Sequence, residues 1–347
     1  MSGLGEAIET ARRARGLTQG QLADALHLGQ GTLSRYESGL RDPDDQTLGM
    51  LADALGVTSE FLRRAGGTRG AMAVEAHMRR RTTAKPTVWR RLEARLNMYR
   101  MHSRYLLEEV SIRADQVVPT FDPFDVNPAD AARLVRMQWR MPIGPVRNLT
   151  AWLEGAGCLV LTEDFGTPRV DGLSQWIDDH PVILINNRTP TDRRRLTLAH
   201  ELGHLCLHAT YVGIDLEQEA NAFAAEFLMP ADVIRPELRR LSLGRLHDLK
   251  RAWGVSMQAL IERAHDLSLI TATQRTNFYK TFSAKGWRTC EPVSDELAPE
   301  EPRLPASIAE ALISAGLTEH EIAARAGFAN STENTIFTTG VRRLRAV

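Results

Sequence analysis

The stretch Leu196–His208, LTLAHELGHLCLH, contains His200-Glu201-x-x-His204. Two histidines four residues apart on a helix lie one above the other on the same face. That spacing lets both imidazoles hold one Zn²⁺, and Glu201 can then hold and deprotonate a water. Leu198, Ala199, Leu202, Leu205 and Leu207 make the segment apolar nearly all round, as in a buried helix. A polar triplet in such a helix is costly unless it binds something.

The rest of the composition sets bounds. A chain of 347 residues allows two or three domains. With 43% hydrophobic and 25% charged residues it reads as a soluble globular protein. The many helical and few strand-like segments along the chain make the expected fold α+β and mostly helical. The net charge is zero, so no whole-molecule field draws it to nucleic acid. Cys158, Cys206 and Cys290 are scattered, which argues for a reducing compartment. No apolar run is long enough for a membrane span, and MSGLGEAIETARRARG lacks the apolar core of a signal peptide. A cytoplasmic protein without a membrane partner is expected.

Residues 3–65 read as short helices, giving an all-α, five-helix domain over 1–66. Leu4, Ala7, Ile8 and Ala11 form a helical stripe, Gly16 stops it, and Thr18 caps the next helix. Two short helices joined by a tight turn, with more behind, is the helix-turn-helix plan. Leu17-Thr18-Gln19, Leu22-Ala23, Leu33-Ser34-Arg35-Tyr36-Glu37-Ser38-Gly39, Pro43 and Leu51-Ala52 resemble the XRE/Cro-like repressor family. The resemblance implies binding of double-stranded operator DNA, with the Gln30–Ser38 helix in the major groove. Gln30 and Arg35 would reach base edges, Gln19 a phosphate, and Thr32 and Ser34 would also contact DNA. Gly31 stands where such proteins usually carry a side chain. Residues 1–66 hold seven Lys+Arg against nine Asp+Glu, a poor field for phosphate. Affinity would then rest on a homodimer, or on the segment Arg69–Arg104 with its ten Lys+Arg, within a basic helical linker over 67–126.

Beyond the Pro-rich stretch 119–128, helices are expected over 129–139 and 146–154. GCLVLTEDF and HPVILINNR then read as strands, with a turn at Asp171–Ser174 between them. Val182–Asn186 fits either a strand that pairs with substrate by edge addition or a central core strand. Thr191-Asp192 is expected to cap the metal helix, and Arg193–Arg195, set against the helix dipole, to pair with nearby acids.

Two histidines do not complete a zinc site. His208 lies about 80° round the helix from His200, which disfavours it as a third ligand. The third histidine of a metzincin is absent, since Leu207 and Thr210 occupy those places. Carboxylates on the next helix remain, and spacing alone leaves Glu217, Glu219 and Glu226 open.

Residues 127–292 resemble the ImmA/IrrE family of zinc metallopeptidases. The likeness rests on Asp192-Arg193-x-Arg195-Leu196-Thr197-Leu198-Ala199-His200-Glu201-Leu202-Gly203-His204 and on Glu219-Ala220-Asn221-x-Phe223-Ala224-Ala225-x-Phe227-Leu228-Met229-Pro230. Trp253–Met257, Gly286-Trp287-Arg288 and Asp171–Ser174 also fit. The resemblance implies a zincin-like, gluzincin-type domain with a small sheet. His200, His204 and Glu219 would be its Zn²⁺ ligands and Glu201 its general base. Tyr211 and His208 are the candidate oxyanion donors.

Residues 293–347 read as an acidic, Pro-rich linker and a helical cap. GLTEHEIAARAGF there echoes GLTQGQLADALHL at an offset of 300. The chain as a whole reads as a DNA-binding transcriptional regulator with a metallo-endopeptidase domain, whose protein substrate is an XRE-like repressor or the chain itself. The alternatives are a helix-turn-helix transcription factor or antitoxin whose metal domain senses without proteolysis, and a non-proteolytic zinc hydrolase.

Overall fold

A computed structural model of the chain describes residues 3–67, 86–108, 110, 114–122, 124–177, 180–209 and 215–339. The helices run α1 (Gly3–Ala14), α2 (Gln19–Ala25), α3 (Gln30–Glu37), α4 (Asp45–Leu55), α5 (Ser59–Gly67), α6 (Pro86–Leu107), α7 (Pro128–Gln138) and α8 (Leu149–Gly155). Strands β1 (Leu159–Glu163), β2 (Gly172–Ile177) and β3 (His180–Asn186) follow. Then come α9 (Thr191–Leu207), α10 (Leu216–Leu228), α11 (Ala231–Ile234), α12 (Leu243–Trp253), α13 (Met257–Asp266), α14 (Ala272–Ala284), α15 (Leu304–Ser314) and α16 (Glu319–Arg325). The described residues of 3–110 and 303–339 form one compact unit, and those of 114–302 form a second.

In the first unit α1 supplies the floor. Its apolar stripe, Ala7, Ile8 and Ala11, is buried. A Cβ on Gly5 would come within 2.5 Å of the Tyr36 and Glu37 carbonyls, so glycine is what lets α1 meet the end of α3. Arg12 on α1 pairs with the buried Glu37 on α3 at 2.5 Å. Thr18 and Gln21 form a capping box on α2, and Asp44 caps α4 through Thr47 N at 2.7 Å. Residues 303–339 belong to the same unit. Val57 and Phe328 form a β-bridge, Thr58 N donates to Gly327 O, and Ala329 N to Gly56 O. The His102 ring is stacked between Phe61 and Phe328, with centroids at 4.4 and 3.7 Å. The offset of 300 is visible in space. α15 and α16 answer to α1 and α2, with the same capping box at Thr318–Glu321. Where a counterpart of α3 would stand, residues 331–337 form turns and bends.

In the second unit the described strands form a sheet of order β1-β3-β2. β1 runs parallel to β3, with Leu159 opposite Val182, and β2 runs antiparallel, with Gly172 opposite Ile185. β3 therefore has a neighbour on each side, and edge addition of a substrate strand to Val182–Asn186 is ruled out. The turn expected at Asp171–Ser174 is instead the start of β2. Its alternation, with Ser174 and Trp176 on the side facing α9, makes it a strand despite the opening glycine. α9 starts after Pro190 with no side-chain cap. Asp192 is diverted to the buried Lys250, at 2.7 Å, which also holds Glu291 at 2.8 Å. The three arginines do find acids: Arg193 meets Asp171, Arg194 meets Glu301, and Arg195 meets Glu300. Trp139, Trp253, Phe223, Phe227 and Phe282 fill the core around α9 and α10. Among the described residues, no helix is long and apolar enough to cross a membrane.

Candidate metal centre

α9 is buried over most of its length, and the motif residues His200, Glu201 and His204 are 0–1% exposed. α10 closes over it through the motif glycine. A Cβ on Gly203 would lie 3.2 Å from Ala220 Cα and from Phe223 Cβ. That close approach brings the first turns of α10 to the histidines.

The side chain that arrives there is Glu217. Its carboxylate oxygens lie 3.5 Å from both His200 Nε2 and His204 Nε2, which are themselves 3.0 Å apart. Glu219 does not join them. Its Oε2 sits 2.8 Å from His208 Nε2. The physical reason is helical period: two residues on a helix turn the side chain by about 200°. Asn221, one turn beyond Glu217, faces the same way, and its Oδ1 accepts from His200 Nδ1 at 3.1 Å. Glu226 is engaged elsewhere. It is buried against Arg133 at 2.9 Å and against Arg263.

This donor set fits a tetrahedral metal. The His200 proton sits on Nδ1, facing Asn221, so its Nε2 presents a lone pair. That lone pair, the His204 Nε2 and a carboxylate converge on one point. Bonds of about 2.0–2.1 Å at tetrahedral angles would put ligand atoms about 3.3 Å apart. The two Nε2 atoms are 3.0 Å apart, His200 Nε2 is 3.5 Å from Glu217 Oε2 and His204 Nε2 is 3.5 Å from Glu217 Oε1, all close to that value. His200, His204 and Glu217 also form a metal-capable group by mutual proximity.

Beside it, Ser174 Oγ on β2 donates to Glu201 Oε2 at 2.7 Å. Nothing in the sequence alone singled out this contact, although Ser174 stood in a stretch that matched the family pattern. His208 has both ring nitrogens engaged, Nδ1 with His204 at 2.9 Å and Nε2 with Glu219. It is therefore not turned towards a substrate, as an oxyanion donor would be. Burial holds its imidazole below the ordinary histidine range. Tyr211, the other expected donor, lies outside the described residues. Cys206 is buried, and burial pushes its thiol up.

In the first unit, Gln30 and Arg35 are exposed along α3, and Thr32 and Ser34 are half-buried. Leu33 and Tyr36 face the core. Gln19 is tied back, its Nε2 donating to Glu37 Oε2 at 2.7 Å. A side chain at Gly31 would meet nothing within 4 Å.

Two family models match the chain, Helix-turn-helix over residues 8–62 and IrrE N-terminal-like domain over residues 153–265. The chain joins these two domains. The HTH-type transcriptional regulator ImmR of Bacillus subtilis is 39% identical over 59 residues, covering 17% of this chain and 46% of the relative. The radiation response metalloprotease IrrE of Deinococcus deserti is 40% identical over 105 residues, covering 24% of this chain and 37% of the relative. That of Deinococcus radiodurans is 42% identical over 76 residues, covering 18% and 23%. The chain thus spans about half or less of the length of these relatives. The IrrE-type segment contains β1–β3, α9 and α10, and with them every residue of the metal-capable group.

Proposed function

We propose that the chain is a DNA-binding transcriptional regulator that also carries a zinc metallo-endopeptidase, acting in the cytoplasm on a repressor-type protein or on itself. The observation that carries this reading is the convergence of His200, His204 and Glu217 beside Glu201, within the IrrE-type segment. We assign the ligands as His200, His204 and Glu217, with Glu217 replacing the Glu219 that the family likeness suggested. The site is of the zincin, gluzincin type. DNA binding belongs to residues 1–66 and peptidase chemistry to residues 127–292.

Zn²⁺ in that site would act as a Lewis acid that polarises the scissile carbonyl and acidifies water. The work of the chain's own residues is proton transfer. Glu201 takes a proton from the attacking water and delivers it to the leaving amine. Ser174 binds Oε2 of that carboxylate, which restricts the rotation of the carboxylate plane. On the DNA side, Gln30, Thr32, Ser34 and Arg35 would meet operator DNA, with Gln19 at a phosphate.

Glu201→Gln tests the enzyme. The purified full chain carrying it should keep its zinc and lose cleavage of XRE-type repressors encoded beside its gene. Proteolysis that persists in Glu201→Gln would remove Glu201 as the base. An unchanged regulatory phenotype in the same variant would favour the reading in which the metal domain only senses.

A further inference from the structure

Glu219 and His208 form a unit that the proposed reaction leaves unused. His208 stands one turn beyond His204, its backbone N–H bonded to the His204 carbonyl at 2.9 Å. Both rings are 1% exposed. His204 Nδ1 and His208 Nδ1 are 2.9 Å apart, and His208 Nε2 is 2.8 Å from Glu219 Oε2.

The positions of the protons follow. A neutral imidazole has one N–H. His204 Nε2 faces His200 Nε2 and the Glu217 carboxylate, so as a ligand it carries no proton. The His204 proton is then on Nδ1, and it donates to His208 Nδ1. His208 must carry its own proton on Nε2, and that proton goes to the Glu219 carboxylate. Each bond has one donor and one acceptor, and the chain ends on a negative charge. His200 has a shorter arrangement of the same kind, ending on the neutral amide of Asn221.

Resting on the metal-site reading above, we infer that His208 and Glu219 are positioning residues: a carboxylate–imidazole chain that fixes the tautomer and angle of His204 and strengthens it as a metal ligand. Partners behind a metal-bound histidine orient the ring and raise its basicity, and losing one typically costs roughly ten- to a hundredfold in metal affinity. Glu219 thus acts two residues removed from the metal, through His208 and His204.

The test is Zn²⁺ affinity of the full chain, by competition with a chromophoric chelator. The variants are Glu219→Gln, His208→Leu, their double, Glu217→Gln and His200→Ala. Far-UV circular dichroism of the metal-free proteins checks folding, and Glu219→Gln alone carries the test if His208→Leu fails to fold. Glu219→Gln and His208→Leu should each bind one zinc, roughly ten- to a hundredfold more weakly than the parent. The double variant should be no weaker than His208→Leu, because Glu219 acts only through His208. His200→Ala and Glu217→Gln should lose the site. If Glu219→Gln loses zinc as completely as His200→Ala, Glu219 is itself a ligand and the inference fails. If Glu219→Gln binds as tightly as the parent, it also fails, while the metal site stands. Should His200→Ala bind as the parent does, the metal-site reading itself falls.

Discussion

Ser174 Oγ binds Glu201 Oε2 at 2.7 Å, with both groups buried. A base held at one oxygen loses freedom that it would otherwise spend in unproductive orientations. Ser174→Ala should therefore lower kcat by about ten- to a hundredfold at nearly unchanged KM and zinc content, and Ser174→Thr should recover part of it. Kinetics of the proposed peptidase reaction would check this, and an unchanged kcat would make the contact merely structural. At this scale the sequence was only partly legible. The pentad gave His200, Glu201 and His204 directly, because one helix turn is a local fact. Which α10 carboxylate reaches the two histidines depends on how α10 meets α9, and that is a tertiary fact. Glu219 shares its face with Phe223, Glu217 with Asn221, and both faces looked plausible. Gly203 packs against both Ala220 and Phe223, so the small residues bring α10 close to α9 without choosing between the two faces.

Elements were read well where punctuation was strong. Thr18 caps α2 through Gln21 N as its chemistry requires, and Gly16 after α1 stands at φ 73° as a helix-stopping glycine does. β2 looks like a turn in the sequence because Gly172 opens it, within the run Asp171-Gly172-Leu173-Ser174 that is rich in turn residues. The structure supplies the reason for that glycine: a Cβ there would lie 2.7 Å from Thr197 Cγ2 and 3.4 Å from Glu201 Cγ, so β2 can lie tight on α9 only without one. The same logic governs the α9–α10 pair. At Gly203 an added side chain meets the Ala220 backbone atom Cα and the Phe223 side chain at 3.2 Å, and a backbone atom yields little. Gly203→Val should cost about 1–3 kcal/mol of stability by overpacking and shift α10, with Glu217, Glu219 and Asn221, away from the histidines. Thermal unfolding with zinc titration would show both effects together. A stable Gly203→Val protein with parental zinc affinity would mean that the two helices have slack.

Across the whole molecule, the last described residues of the chain complete its first unit. Among what they supply is the Ala326 carbonyl, which accepts from His102 Nδ1 at 2.7 Å, and the Phe328 ring that covers the imidazole. Burial pushes the His102 pKa down to about 3, with Arg15 adding to the effect. In the unfolded chain the group titrates near 6.5. Between these two values the unfolded state binds the proton and the folded state does not, so stability rises with pH through that window and is lost as pH falls below about 6.5. The slope is about 1.4 kcal/mol per pH unit for one proton. Removing residues 303–347 takes away the Phe328 ring and the Ala326 acceptor and opens His102 to water. The shortened chain should be less stable at pH 7.5, yet lose less further stability on going to pH 5. His102→Phe in the full chain should also flatten the dependence, since its ring can stack but cannot take up a proton. Hydrogen exchange at the amides of α1 and α6, measured at both pH values, would follow this unit separately from the second. If the parent and His102→Phe proteins lost protection equally between pH 7.5 and pH 5, the acid sensitivity would have to come from another group.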